Sequence, residues 1–275
     1  MMIKVLLGQL SPRLGDLEAN LGRLEDVVRG HEADIAIFPE LYLSGYFSKD
    51  MLYRLAIGLG DKTVSRLRRL AEETSTAIIV GFPERSGHGF IYNSALIIDE
   101  AGEASVYRKR HLPTFSLFDE GRWFRANRAG LGTWRLKGVE VGVAICYDTF
   151  FPEIFKAYSL RGAELLAILS ATPDSSLRFF KKLTEARAIE NTAYVVWVNQ
   201  VGVYDGVGFA GESRVVSPLG RLIAECKPME EDVRVVELDL REVGLARIQR
   251  PVLRDSIRED AETLLDAYLA IEEAP

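Results

Sequence analysis

The sequence predicts a layered α/β domain with mixed sheets, and three observations carry that expectation. Short apolar runs recur along the chain, and many are continuously apolar, as strands covered on both faces are. Helical periodicity separates some of these runs, which marks βα units, while turn sequences join others, which marks hairpins. A chain that mixes the two is expected to layer helices onto mixed sheets rather than wind around one parallel sheet. No repeat, linker or low-complexity segment divides the 275 residues, so a single domain is expected.

The elements follow in order. IKVLLGQL (3–10) is apolar but short, lacks a small-residue cleavage site and runs into Gly and Pro; it reads as a strand and not as a signal peptide. Asp16 to Val28 spaces Leu17, Leu21, Leu24 and Val27 as one helical face, and DIAIFP (34–39) returns as a strand. Asp61 to Ser75 sets Val64, Leu67, Leu70 and Ala71 on a second helical face, followed by the run AIIVGFP (77–83). NSALIID (93–99) and SVYRK (105–109) flank Glu100-Ala101-Gly102, a hairpin composition. VEVGVAIC (139–146) leads into a helix from Pro152 to Leu160, with Gly162 as its stop. ELLAIL (164–169), a helix from Phe179 to Asn191, and AYVVWVN (193–199) come next. VVSPLGRLIAE turns through Ser217-Pro218-Leu219-Gly220, and VRVVELDL (233–240) is the last strand. Beyond Leu245, RIQRPVLRDS reads as irregular and Glu259 to Ala274 as a short amphipathic helix. The expected organisation is a domain of residues 1–245 and a tail of residues 246–275 that packs on a partner subunit.

Composition excludes several classes of function. The net charge of −6 argues against nucleic acid, which calls for a basic face. No apolar run approaches the ~20 residues that span a bilayer. Cys146 and Cys226 form no CxxC and the chain has three histidines, so neither a disulfide framework nor a zinc site is supported. A cytoplasmic protein is expected.

Three buried strands end in residues able to do chemistry. Cys146 closes the run 139–146 beside a helix start, where side chains of α/β proteins commonly line sites, and where the helix's positive end favours a thiolate. Asp148 or Thr149 is placed to cap that helix. Glu40 follows DIAIFP and Lys109 ends SVYRK; Glu120 lies beyond, in FDEGRWF. Taken alone, each has a bland reading: a buried structural cysteine, a surface carboxylate, a solvated lysine between arginines. Cys226 has no comparable context and reads as structural. Together the chemistry is complementary. A free thiol is only a few per cent ionised at pH 7. Passing its proton to an ordinary glutamate is uphill by about 4 pKa units, roughly 5–6 kcal/mol. An ammonium about 4 Å from the sulfur returns ~4 kcal/mol at an effective dielectric near 20. Glu and Lys can thus do for a cysteine what histidine does elsewhere.

FPELYLSGY, YRKRHLPTF and AICYDTFFPE resemble the three signature segments of the nitrilase superfamily, the carbon–nitrogen hydrolases. RGAELLAILSATP, EARAIENTAYVVWVNQVG and GESRVVSPLGRLIAE match later segments in order, so the resemblance runs from the first strand to about Leu240. It implies a four-layer α-β-β-α sandwich and a catalytic triad of Glu40, Lys109 and Cys146, with Glu120 as a second glutamate that orients substrate and holds Lys109. It also implies that Lys109 and the backbone N–H of Tyr147 stabilise an oxyanion, that the intermediate is a cysteine thioester, that no metal or organic cofactor is needed, and that the chain forms at least a homodimer. His111, two residues past Lys109, is placed to support the site or simply the fold. Tyr46, Phe115, Phe118, Trp123, Tyr147, Phe150 and Phe151 are candidates for an aromatic pocket, with half of them expected in the core.

The branch is narrower than the family. True nitrilases usually carry Cys-Trp-Glu, whereas this chain has Cys146-Tyr147-Asp148, as amidases and carbamoylases do. Dicarboxylate-monoamide hydrolases read CYDxRFPE, and Phe150 stands where their arginine would pair with a substrate carboxylate. LPTFSLFDEGRWF and SGYFSKDMLYR resemble the glutaminase domain of glutamine-dependent NAD synthetase, which normally follows its cysteine with Glu-Asp. The expected activity is hydrolysis of a small carboxamide to acid and ammonia. The competing readings are an N-carbamoyl amino acid hydrolase, a stand-alone glutaminase, and a scaffold of the same fold without turnover.

Overall fold

The structure, a computed structural model, describes residues 1–272. Its strands are β1 (Met2–Gln9), β2 (Ile35–Ile37), β3 (Ala77–Arg85), β4 (Ile91–Ile98), β5 (Ala104–Arg108), β6 (Trp134–Leu136), β7 (Val139–Ile145), β8 (Leu165–Ser170), β9 (Tyr194–Asn199), β10 (Val201–Tyr204), β11 (Val207–Ala210), β12 (Arg214–Val216), β13 (Leu222–Glu225) and β14 (Asp232–Asp239). The helices are α1 (Leu17–Arg29), α2 (Leu52–Leu55), α3 (Lys62–Thr74), α4 (Glu120–Trp123), α5 (Pro152–Leu160), α6 (Asp174–Asn191), α7 (Arg241–Gln249) and α8 (Arg258–Glu272).

The strands form two six-stranded mixed sheets, ordered β14-β1-β2-β3-β4-β5 and β13-β12-β9-β8-β7-β6, with β10 and β11 as a separate hairpin. In the first sheet the strand period of two sorts the side chains between two cores. Ile3, Val5, Leu7, Ile35, Ile37, Ile79 and Ile97 face the second sheet, whose Val141, Val143, Ala167 and Val196 belong to the same cluster. Leu6, Ala36, Ile78, Val80, Leu96 and Ile98 face the opposite way and pack on Leu21, Leu24, Leu67 and Leu70 of α1 and α3. On the far side of the second sheet lie Phe155 and Tyr158 of α5 and Phe180 and Ala188 of α6. The result is the four-layer α-β-β-α sandwich expected of the family, in one domain.

The helices begin where the chain supplies caps. Asp16 and Asp61 each accept from a first-turn amide, and Pro152 occupies the first position of α5, where no N–H is needed. β2 is shorter than the apolar run 34–39, because Pro39 has no N–H to extend the ladder after Phe38 donates to Ile79 O.

Other departures from expectation are equally local. α6 starts at Asp174, directly after Pro173, and not at Phe179. β6 and the hairpin β10–β11 were not expected. The tail is not irregular from residue 246: α7 runs through that boundary to Gln249, with Val243 and Ala246 buried and Arg247 donating to Ala163 O. α8 occupies the expected place, though the end assigned to Ala274 lies outside the described residues. Among the described residues no helix is long and apolar enough to cross a membrane.

Candidate active site

Glu40, Lys109 and Cys146 each sit just beyond a strand, where the backbone leaves the ladder, whereas Glu120 opens a short helix. Glu40 follows β2 and Pro39 and is fully buried. The turn that holds it presses on β3: Gly81 N–H donates to Pro39 O at 3.1 Å and Leu43 N–H to Gly81 O at 3.1 Å. A Cβ on Gly81 would overlap Leu41 N, Pro39 O and Glu40 Cα, so glycine is required for this approach. Lys109, first residue past β5, is anchored by its N–H to Asn93 O at 2.8 Å and by its carbonyl to Asn127 N–H at 3.0 Å. Glu120 opens α4, its N–H on Pro113 O. Cys146, first residue past β7, takes the left-handed conformation, φ +46°, within a 3₁₀ turn over Cys146–Phe150. A non-glycine residue there stores strain, a common feature of functional turns.

These four meet in a dry interior. Lys109 Nζ donates to Glu40 Oε1 and to Glu120 Oε1, both at 2.7 Å, and neither lysine nor Glu40 has any solvent exposure. Asn93 Nδ2 bridges the two carboxylates, at 2.7 Å from Glu40 Oε1 and 3.3 Å from Glu120 Oε2. The Ala171 N–H donates to Glu40 Oε2 at 2.9 Å, and the Tyr46 hydroxyl to Glu120 Oε1 at 2.6 Å. Cys146 lies close enough to Glu40, Lys109 and Glu120 for all three to act on its proton. Thr172 Oγ1 is 3.9 Å from Sγ.

Burial pushes the Cys146 thiol well up; Glu40 and Glu120 push the same way, against Lys109. The sulfur therefore rests as a thiol, not as the thiolate that a helix start alone would favour. Burial works against the charge of Lys109, but Glu120 and Glu40 outweigh it and keep the ammonium protonated. Glu120 is pushed up to about 7, chiefly by burial and further by Glu40, against Lys109.

Cys146 opens onto a cleft of about 280 Å³ lined also by Phe115, Phe118, Tyr147, Phe150, Phe179 and Phe180, with Pro113, Pro173 and Ser176. None of these ten side chains is charged. Of the seven aromatics considered from sequence, Phe115, Phe118, Tyr147 and Phe150 line the cleft. Tyr46 instead grips Glu120 and meets Phe118 edge-on, while Trp123 packs with Tyr53. Phe151 stacks on His111 at 3.4 Å between ring centres. His111 is thus not at the thiol: its N–H and Nδ1 both reach Asp148 Oδ1, and Asp148 does not cap α5. Sequence reasoning missed Asn93, Thr172 and Phe179; the signal for Asn93 was the polar pair Asn93-Ser94 inside a largely apolar strand. Among the described residues no group of three or more His, Cys, Asp and Glu converges to hold a metal ion.

The profile of the carbon-nitrogen hydrolase family matches residues 4–248, nearly the entire chain. The chain belongs to the carbon-nitrogen hydrolase family. It is therefore a hydrolase acting on carbon–nitrogen bonds. It is 35% identical over 257 residues to an (R)-stereoselective amidase of Pseudomonas sp., covering 92% of this chain and 91% of that one. It is 32% identical over 253 residues to a glutamine-dependent NAD(+) synthetase of Aquifex aeolicus, but spans only 44% of that protein's length. Among solved structures, a mutant of the amidase from Nesterenkonia sp. AN1 superposes with a TM-score of 0.81 at 26% identity, covering 95% of this chain and 96% of that one. That structure shows covalent addition of the acetamide moiety of fluoroacetamide at its active-site cysteine.

Proposed function

We propose that this hydrolase is an amidase that cleaves a small, uncharged carboxamide through a thioester on Cys146. The observation that carries the reading is the buried Glu40–Lys109–Glu120 cluster acting on a thiol that opens into an apolar cleft. Glu40 takes the Cys146 proton as the sulfur attacks the amide carbon. Lys109 and the Tyr147 N–H hold the charge that develops on the carbonyl oxygen. Glu40 then gives the proton to the departing ammonia, leaving a thioester, and activates the water that releases the acid. Glu120 holds Lys109 in place and orients the substrate.

The uncharged lining favours a neutral acyl group over N-carbamoyl amino acids or glutamine, whose carboxylate would enter without a partner. Phe150, in the cleft wall, supports the same reading. The covalent addition of an acetamide moiety to the Nesterenkonia amidase cysteine supports a nucleophilic role for the equivalent thiol, on which the thioester step depends. The active species is proposed to be at least a homodimer, built on the apolar residues that α8 exposes: Leu264, Leu265, Tyr268, Leu269 and Ile271.

The test pairs chemistry with mass. Wild-type protein is assayed for ammonia release from a panel of neutral aliphatic and aromatic amides, N-carbamoyl amino acids and glutamine. Rapid quenching with a slow neutral amide is expected to add an acyl mass to the peptide containing Cys146. Cys146→Ser is expected to keep the fold and to lose both turnover and adduct. Carbon dioxide from carbamoyl substrates, in excess of ammonia from amides, would shift the assignment to a carbamoylase.

A further inference from the structure

Beside the nucleophile lies a third buried carboxylate, which the reaction scheme does not use. Asp148 has no solvent exposure. Its Oδ2 accepts from the Tyr107 hydroxyl at 2.7 Å and from the Ile145 N–H at 3.3 Å. Its Oδ1 accepts from the His111 N–H and faces His111 Nδ1, both at 3.0 Å. The donors are placed with a pattern. Tyr107 and His111 stand two residues before and two after Lys109, and Ile145 immediately precedes Cys146. One carboxylate thus gathers both flanks of the lysine and the last ladder residue before the sulfur.

The location explains why such a tie is needed. β5, which delivers Lys109, is the edge strand of the first sheet and pairs only with β4. Cys146 belongs to the second sheet, through β7. The Tyr107 ring meets Trp134 of β6 edge-on at 6.3 Å, so Asp148 sits where the two sheets' edges face each other. Apolar packing alone leaves such an edge free to shift by fractions of an ångström, since it is non-directional. Four hydrogen bonds converging on a fixed, buried carboxylate are directional. An ionised carboxylate is also the side chain of this size that only accepts; an amide in its place would turn an NH₂ toward two of the donors.

We propose that Asp148 is a positioning residue that straps the strand end carrying Lys109 to the turn carrying Cys146, and so sets the ammonium-to-sulfur geometry. The inference rests on the amidase reading of the site, and its test separates the two. In wild-type protein, Asp148→Asn is expected to lower kcat about 10²-fold, the order produced by misplacing a reacting group by an ångström, with KM within about twofold. Tyr107→Phe removes one hydroxyl and is expected to lower kcat roughly fivefold to tenfold, again with little change in KM. The double variant is expected to be no slower than Asp148→Asn, because both act through one strap. Folded Tyr107→Phe with wild-type kcat, or with a loss in KM alone, overturns the strap; this variant serves if Asp148→Asn does not fold. If the wild type hydrolyses no amide of the panel, the amidase reading falls, and the strap is read by amide hydrogen exchange. Tyr107→Phe is then expected to speed exchange at the Ile145 and His111 amides together, and unaltered exchange at both overturns it.

Discussion

Lys109 is held by two carboxylates with no exposure to solvent, and this makes it at once the pivot of the chemistry and a structural necessity. Lys109→Ala leaves Glu40 and Glu120 facing each other with Asn93 as their shared neutral donor. Breaking a buried ion pair from one side costs about 3–5 kcal/mol, and losing one oxyanion donor costs about 10²–10³ in rate. The expected variant melts well below wild type and releases no measurable ammonia; a variant with wild-type turnover removes Lys109 from the mechanism. Glu120 carries a pH signature. Its folded pKa of about 7 stands above its ordinary 4.5, so its contribution to stability is full below about pH 4.5 and is lost as pH rises through 7. Glu120→Gln, measured by denaturant unfolding, is expected to flatten that decline. Turnover is expected to run the other way, rising through about pH 7 as Glu120 ionises and clasps Lys109, and the limb disappears in the same variant. Glu40, Lys109 and Cys146 were legible because each stands at the exit of an apolar strand, while Glu120 was assigned by resemblance alone. Their coupling was not legible: sequence order says nothing of how deeply a thiol is buried or how many carboxylates surround it, and burial first, then Glu40 and Glu120 against Lys109, keeps Cys146 protonated.

At the scale of elements, the turn after β2 depends on β3 as much as on its own residues. Gly81→Ala introduces a methyl that must displace the backbone of residues 39–41, the segment carrying Glu40. Overpacking of this kind typically costs about 1–3 kcal/mol. The expected outcome is a lowered melting temperature with a larger fall in kcat than in stability, because Glu40 moves; an unaltered kcat would detach Glu40's placement from Gly81. The long strands and the amphipathic helices α1 and α3 were legible because one face is apolar at a clear period. The hairpin β10–β11 was overlooked although Asp205-Gly206 is a turn signal, because Val201 to Ala210 alternates only weakly. α7 was overlooked because Gly244 interrupts it and its packed face is narrow, Val243 and Ala246.

Across the whole molecule, α8 is the element least explained by a single chain. Every one of its residues with a described burial is exposed, and its Tyr268 hydroxyl donates to Glu153 Oε1 at 3.3 Å. A helix with that many bare leucines is expected to find a partner. Sedimentation at micromolar concentration is expected to give a dimer or larger, and removal of residues 258–275 to give a monomer. A full-length monomer would leave α8 without a role in assembly. The four layers themselves came from resemblance and not from periodicity, because alternation assigns a strand to a sheet face but not to one of two sheets.

β14 pairs with β1 along its full length, from Met2 opposite Asp239 to Gln9 opposite Asp232. β1 thus waits for β14, with the whole second sheet synthesised between them. Throughout that interval the nascent chain carries a long, greasy, unmated border able to zip onto a neighbour. Recombinant yield is accordingly expected to respond to the pace of translation and to chaperone supply, with slow synthesis in the cold favouring native product over inclusion bodies.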